Sequence, residues 1–503
     1  MSDSPSKSAS PASRALRRVG GQGAILMAGF AGAQGCSFLR NGLLGHWLSQ
    51  GDFGIAAAIT LMLQLVETLS DLGSDRLIIQ APDGDEPRLQ ATAHATLIAR
   101  GAITSLLLYL AAAPTTAFFA IAEATWAFQA IALAPFIKGF MHLDTRRYQR
   151  RLLNRPQVMI ELLPQAIALL LTIPALYLTP DHSVVVWLAL SQAAIALGVS
   201  HLVAERAYRV ALDQGYLARF VRFGWPIWLS AFPLVAVYQG DRMIVGGLLG
   251  IEELASYTVA FMITMVPGLI AARIGNALML PLLSEVRAHP LLFQHRYAMM
   301  IEMITVLAAA YLIFFTAAGG SLLPIVFGPN YDGLASIVGC LAAMWALRML
   351  QAPPGMALMA RGDTEPLLIA GLVRATGLSL SISAINLGYG LLGAAFAGVL
   401  AEGLSLTYIV SRTAAQTIVP WRISAIAVML LFAAAAIGPS LAILLHGAPI
   451  TLIVLAVLAS VAMFAAGLLA MPSSRSLIIE NRSKFTSYLP GAKRKGRGAN
   501  AAA

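Results

Sequence analysis

Charge is what this 503-residue sequence has least of: Asp, Glu, Lys and Arg together make up 12%, against about 25% in soluble domains. So few charges cannot cover a water-facing surface, which excludes a string of ordinary soluble domains. Cysteine is almost absent. Cys36 and Cys340 both lie in apolar runs, so neither a disulfide framework nor a thiolate metal cluster is expected. Long polar connections are lacking as well, which leaves no room for a separate soluble domain, a nucleotide-binding P-loop or a large loop housing an enzyme. Histidines such as His46, His94, His142 and His201 have no metal-ligand spacing, and no activated nucleophile or acid-base pair stands out. The chain is read as a non-enzyme that needs no cofactor.

What it has instead is apolar sequence. Hydrophobic residues reach 58%, and fourteen stretches are apolar enough to cross a bilayer. They are 21–48, 53–80, 91–114, 124–145, 156–178, 183–205, 223–249, 254–283, 297–326, 333–359, 364–387, 391–412, 423–446 and 449–471. The expected fold is therefore an all-α polytopic membrane protein. The net charge of +10 does not point to nucleic acid, because the basic residues sit in every second connection. Arg88, the group Arg146, Arg147, Arg150, Arg151 and Arg155, the group Arg206, Arg209, Arg219 and Arg222, then Arg287, Arg296, Arg361, Arg412 and Arg422 mark one side. The intervening connections, 49–52, 180–182, 250–253 and 328–332, contain no Lys or Arg. The positive-inside rule then predicts an even number of spans with both termini cytoplasmic. Arg14, Arg17 and Arg18 precede a first run that is interrupted by Arg40 and lacks a small-residue cleavage site, so that run is read as a retained helix.

A weak internal repeat organises the spans. Gly51-Asp52-Phe53-Gly54 opens the second span, and Glu252-Glu253-Leu254-Ala255 opens the eighth in the same way. This predicts an N-terminal segment (1–20), two parallel six-helix lobes (21–210 and 211–413), two extra helices (414–471) and a basic tail (472–503). The tail is read as a topology anchor.

Apart from Arg412 at the last position of its span, eight basic residues fall inside the predicted spans: Arg40, Arg76, Arg100, Lys138, Arg242, Arg273, Arg348 and Arg374. At a helix centre each costs at least about 2.5 to 3.5 kcal/mol, so each should face a cavity, pair with an acid or snorkel. Arg76, Arg100 and Lys138 are near enough to the basic side to snorkel. On the first span Gln34, Ser37, Arg40 and Asn41 share one face, and on the second Gln64, Glu67, Thr68, Asp71, Ser74 and Asp75 do. Tyr238, Asp241 and Arg242 share a face of the seventh span; Arg273 and Asn276, and Arg348 and Gln351, stand three apart. Two readings stay open. The charges pair between helices as structural ion pairs, or they bind a ligand. The excess of arginine favours bidentate recognition of phosphate by Arg40, Arg242, Arg273 and Arg348, with Gln34, Asn41 and Asn276 beside them. The acids Glu67, Asp71, Asp75 and Asp241 are candidates for coupling to a cation or proton. Prolines at 164, 174, 226, 233, 267, 281, 353 and 354 permit kinks.

The residues around the seventh span carry a resemblance. Phe223-Gly224-Trp225-Pro226, Asp241-Arg242 and Glu253-Leu254-Ala255-Ser256-Tyr257-Thr258-Val259-Ala260 resemble the central segment of the bacterial oligosaccharide flippase family of polysaccharide biosynthesis proteins. Leu69-Ser70-Asp71-Leu72-Gly73, Val326-Phe327-Gly328-Pro329-Asn330-Tyr331, and Gly390-Leu391-Leu392-Gly393-Ala394-Ala395 with Ala401-Glu402 agree in order and spacing, over roughly residues 20–413. The resemblance implies the fold of the multidrug, oligosaccharidyl-lipid and polysaccharide exporter superfamily, with two six-helix lobes around a central cavity. It also implies a function: moving undecaprenyl-diphosphate-linked oligosaccharide across the bacterial inner membrane for exopolysaccharide, O-antigen or capsule assembly. Membrane arginines of related lipid II flippases have their nearest counterparts here in Arg40 and Arg273. The implied partners are the lipid-linked oligosaccharide, membrane lipids, a polysaccharide polymerase and a chain-length regulator. The rival readings are a multidrug or cation antiporter of the same superfamily, and a polymerase or non-transporting subunit of an assembly system.

Overall fold

The computed structural model describes residues 11–151, 153–415, 421–445 and 448–471; the N-terminal ten residues and the basic tail expected from 472 lie outside them. All regular structure among the described residues is helical. In chain order the helices are α1 (Pro11–Trp47), α2 (Gln50–Leu69), α3 (Ser74–Gln80), α4 (Pro87–Phe118), α5 (Thr125–Ile131), α6 (Leu133–Lys138), α7 (Asp144–Arg150), α8 (Arg155–Leu178) and α9 (Ser183–Leu202). They continue with α10 (Gln214–Leu249), α11 (Ile251–Glu285), α12 (Pro290–Phe327), α13 (Ala335–Leu350), α14 (Ala352–Arg361), α15 (Glu365–Asn386), α16 (Gly390–Ala414), α17 (Trp421–Leu444) and α18 (Pro449–Ala470). All fourteen expected stretches fall on helix, and among the described residues eleven helical segments are long and apolar enough to cross a membrane. Large apolar side chains such as Leu106, Leu110, Leu170, Phe432 and Ile443 face outward, as a protein whose solvent is hydrocarbon requires.

Three expected spans are interrupted, each for a local reason. The second stops at Leu69 and resumes at Ser74, because Gly73 takes a left-handed conformation (φ +62°) that ends the ladder. The fourth breaks at Ala132 between α5 and α6, and Pro135 in α6 cannot donate back to Ile131. The tenth breaks at Gln351, which places Pro353 and Pro354 in the opening turn of α14, where a missing N–H costs nothing. Helix starts are capped where the chain enters from a polar stop. Ser49 Oγ accepts the Asp52 N–H at 3.0 Å, and Asp213 accepts the N–H groups of Gly215 and Tyr216.

The chain divides into two compact units. The first comprises residues 1–262, 324–331 and 382–391. Its core gathers Ile55, Ile59, Phe119, Phe128, Ile131 and Leu254, all buried. α4 and α6 approach backbone to backbone at Gly101 and Gly139, where a Cβ on Gly101 would lie 2.9 Å from the Gly139 Cα. At the basic end of this unit Leu77, Ile78, Leu89 and Phe220 form a second cluster. There Arg150 on α7 caps α3, donating to the carbonyls of Ile78 (3.0 Å), Ile79 (3.1 Å), Ala81 and Pro82 (3.2 Å). Asp83, in the following connection, accepts from Arg219 at 2.7 Å, and that guanidinium holds its carboxyl below the ordinary carboxylate range.

Close packing in this unit makes one prediction. A Cβ on Gly54 would sit 2.2 Å from the Ile251 carbonyl oxygen, whereas one on Gly51 meets only Ser49 Oγ at 4.0 Å. Gly54→Ala is expected to destabilise by about 1–3 kcal/mol through overpacking, and Gly51→Ala by far less. Melting temperatures of the two purified variants in detergent check this; equal values would refute it.

The second unit comprises residues 263–323, 332–381 and 392–503. Leu283, Phe293, Tyr297 and Met356 form one buried cluster. Ala317 and Ala318 of α12 meet Leu452 and Ala456 of α18 in another. The Tyr311 hydroxyl is satisfied by donating to the Thr264 carbonyl at 2.8 Å, so it costs little in the apolar interior.

Candidate functional site

The charged and polar residues singled out in the spans form four groups, each lying within one unit. In the first unit, Arg40 projects from α1 and is half-buried. Its Nη1 donates to Gln165 Oε1 on α8 at 3.2 Å, and its Nη2 lies 3.5 Å from Ser37 Oγ one turn back. Gln192 on α9 donates to the same Gln165 oxygen at 3.2 Å. Asn41 is occupied locally, donating to the Ser37 carbonyl at 2.8 Å, and Gln34 is half-buried one turn below Ser37. Arg40 makes no ion pair among the described residues.

Arg242 is on α10, 9% exposed. Its Nη2 donates to the Tyr238 carbonyl at 3.0 Å and to Gln239 Oε1, and its guanidinium lies over the Phe261 ring, 4.7 Å from the centroid. It too makes no ion pair among the described residues; the neighbouring Asp241 accepts its backbone N–H at 2.8 Å. Adjacent helical residues diverge by about 100°, and Asp241 turns to the Tyr257 hydroxyl at 3.1 Å.

The acid row of the second span is organised differently from a helical stripe, because the helix ends before Asp71. Its members nevertheless converge on basic partners at the end of the unit. Glu67 pairs with Lys138 at 2.9 Å, Asp71 with Arg76 at 3.1 Å and Arg100 at 3.2 Å, and Asp75 with Arg146 at 2.9 Å. Asp71 also accepts the Gly73 N–H at 3.0 Å, tying the acid to the turn that interrupts the helix. A cavity of about 210 Å³ opens among Glu67, Asp75, Arg100, Lys138 and Arg146.

In the second unit Arg348 (α13) and Arg374 (α15) share Glu402 (α16), which is 1% exposed. Arg348 Nε donates to Glu402 Oε1 at 2.7 Å, and Arg374 Nε to Oε2 at 2.9 Å. Gln351, at the break between α13 and α14, donates to Glu402 Oε2 at 2.7 Å and accepts from Arg374 at 2.6 Å and from Ser405 at 3.0 Å. Arg273 and Asn276 are on α11, but their side chains lie outside the described residues.

Two features were not anticipated. Gln165 and Gln192 passed as ordinary residues of apolar runs; their signal was an uncharged polar side chain near the middle of a span. His94, His142 and His201, scattered in sequence, pack together with Tyr208 at centroid distances of 4.4 to 5.5 Å. His94 Nδ1–H donates to the Arg209 carbonyl at 2.8 Å while Nε2 accepts the Leu143 N–H. His142 Nε2–H donates to the Arg206 carbonyl at 2.9 Å while Nδ1 accepts the Asp144 N–H. These partners assign both rings as neutral. No group of three or more His, Cys, Asp and Glu side chains suited to a metal occurs among the described residues.

With this geometry the comparisons fit. A family model described as polysaccharide biosynthesis protein matches residues 43–336, and the chain belongs to that family. Teichuronic acid biosynthesis protein TuaB of Bacillus subtilis (strain 168) is 25% identical over 142 residues, 28% of this chain and 29% of that protein; the chain thus spans less than a third of that relative's length. Among solved structures, the lipid II flippase MurJ in an inward closed conformation aligns over 92% of this chain and 99% of that one, at 12% identity and a TM-score of 0.69. An inward-facing multidrug resistance MATE family transporter of the MOP superfamily aligns over 76% of this chain and 95% of that one, at 15% identity and a TM-score of 0.60. At such identities the likeness carries the fold. The protein is a multi-pass helical membrane protein of the polysaccharide biosynthesis protein family, as the order of its motifs implied.

Proposed function

We propose that the protein is a flippase that moves a polyprenyl-diphosphate-linked oligosaccharide across the bacterial inner membrane, for exopolysaccharide, O-antigen or capsule assembly. The observation that carries this reading is Arg40 together with Arg242: guanidiniums inside spans whose hydrogen bonds among the described residues go to neutral groups. Such a charge costs at least about 2.5 to 3.5 kcal/mol in hydrocarbon. A diphosphate losing its own hydration is the complementary partner, because each then replaces the other's lost water. The relatives support a lipid-linked envelope saccharide as cargo, one through teichuronic acid biosynthesis and one through lipid II. The mechanism is alternating access by the lobes at 21–210 and 211–413, with both termini cytoplasmic and the lipid tail remaining in the bilayer.

In this reading the headgroup contacts of the first unit are Gln34, Arg40, Asn41 and Arg242, and the candidates in the second unit are Arg273, Asn276 and Arg348. A polymerase and a chain-length regulator take the product onward. If ion gradients drive transport, the carboxylates for it are Glu67, Asp71, Asp75 and Asp241, and a cation or proton must compete there with Lys138, Arg100, Arg146 and the Tyr257 hydroxyl. Those same pairings weigh against a drug antiporter, whose cationic cargo needs acids not already discharged by arginine and lysine.

The test is translocation of a fluorescent polyprenyl-diphosphate oligosaccharide in proteoliposomes, scored with an impermeant quencher. Protein-dependent loss of protection from the quencher supports the flippase. No translocation by folded protein, with ion gradients supplied, overturns it in favour of antiport or an assembly role.

A further inference from the structure

Arg40 is aimed by an amide where a carboxylate would bind it more strongly. The Gln165 oxygen takes hydrogen bonds from both Arg40 and Gln192, so it is saturated. The Gln165 Nε2 and the Gln192 Oε1 engage no other group among the described residues. Both glutamines stand near the middles of their helices, α8 (Arg155–Leu178) and α9 (Ser183–Leu202). That is mid-membrane, where an amide group without a partner is expensive. Three helices therefore bring together, in one spot of hydrocarbon depth, a guanidinium with its charge uncancelled, a pair of amide N–H donors and an amide acceptor.

This combination has a chemical complement. Guanidinium and amide N–H donors match the oxygens of a phosphate, and an amide carbonyl matches a hydroxyl of the sugar attached to it. An ionised carboxylate at 165 would orient Arg40 equally well but would discharge it, leaving nothing for an anion to recognise. The geometry points to a subsite on α1, α8 and α9 for the junction of diphosphate and first sugar, in which Gln165 positions Arg40 without neutralising it and Gln192 fixes the Gln165 amide. The subsite rests on the polyprenyl-diphosphate reading given above.

Binding of farnesyl diphosphate to the purified full chain in detergent, read by titration calorimetry beside a melting curve, tests it. Gln165→Glu should hold or raise the melting temperature, since it adds an ion pair, while weakening farnesyl diphosphate more than about tenfold, since the ligand must displace a carboxylate. Affinity unchanged from the parent would mean that Gln165 serves packing alone, and would overturn the inference. Should Gln165→Glu fail to fold, Gln192→Leu reads the same relay from one step back. It should weaken binding about three- to tenfold by releasing the Gln165 amide, and parent affinity in that variant overturns the inference too. A parent protein that binds no farnesyl diphosphate also overturns the subsite. Binding that is intact, with Gln165→Glu defective but no translocation by the parent, would leave the subsite standing and count against the flippase.

Discussion

Glu402→Ala should be the most destabilising substitution in the second unit. The carboxylate is 1% exposed and both its oxygens are engaged, Oε1 by Arg348 and Oε2 by Arg374 and Gln351. Removing one member of a buried pair costs about 3–5 kcal/mol because the other charge loses its counter-ion, and here two guanidiniums share the one carboxylate. For a body of this size that corresponds to a fall in melting temperature of about 6 to 20 °C. Glu402→Gln should fall between, keeping an acceptor but no charge. Replacing Arg348, Arg374 and Glu402 together with apolar residues should cost less than Glu402→Ala alone, since desolvation of the whole cluster is then avoided. Thermal unfolding in detergent decides it, and a Glu402→Ala protein that melts with the parent would show that the cluster is wet and weakly coupled.

The largest effect on activity is expected from Arg40→Ala. Losing a desolvated, charge-assisted contact to a diphosphate costs about 2–5 kcal/mol, or roughly 30-fold at the least. Translocation should drop toward the protein-free rate while expression and melting temperature hold or rise, because the variant no longer carries an unpaired charge into hydrocarbon. Arg40→Lys should retain part of the rate, keeping charge but losing the planar fork. Arg242→Ala should cost stability as well, through the lost stacking on Phe261. Parent-level translocation by folded Arg40→Ala would remove that residue from the substrate path.

How much of this was legible beforehand depends on the kind of signal. Helical spans and their edges were readable because apolar length and the alternation of arginine are one-dimensional properties. The breaks at Gly73 and Gln351 were not. Gly73 reads as an ordinary small residue until its φ is known, and a Pro353-Pro354 pair is equally compatible with a kink inside one span or the start of another. For the site, sequence named Arg40, Arg242 and Arg348 from their cost but could not assign their partners. Asp241 meets its neighbour Arg242 through the backbone N–H, whereas Glu402 and Arg348, 54 positions apart, join through their side chains. Gln165 and Gln192 stayed hidden because neutral amides raise no alarm in a charge count.

The interruption at 70–73 has a mechanical side. Below it, α3 is bolted down at both ends: Asp75 to Arg146 and its last carbonyls to Arg150, two residues one helical turn apart on α7. Asp83 to Arg219 and the Asp85 carbonyl to Arg206 fasten the stretch that follows. Above it, α2 is an uninterrupted rod. A left-handed glycine between a rod and a bolted plate acts as an elbow: it lets the chain turn from α2 into α3, while Lys138 on Glu67 and Arg100 on Asp71 splint the joint, so the membrane helix is braced against the basic rim.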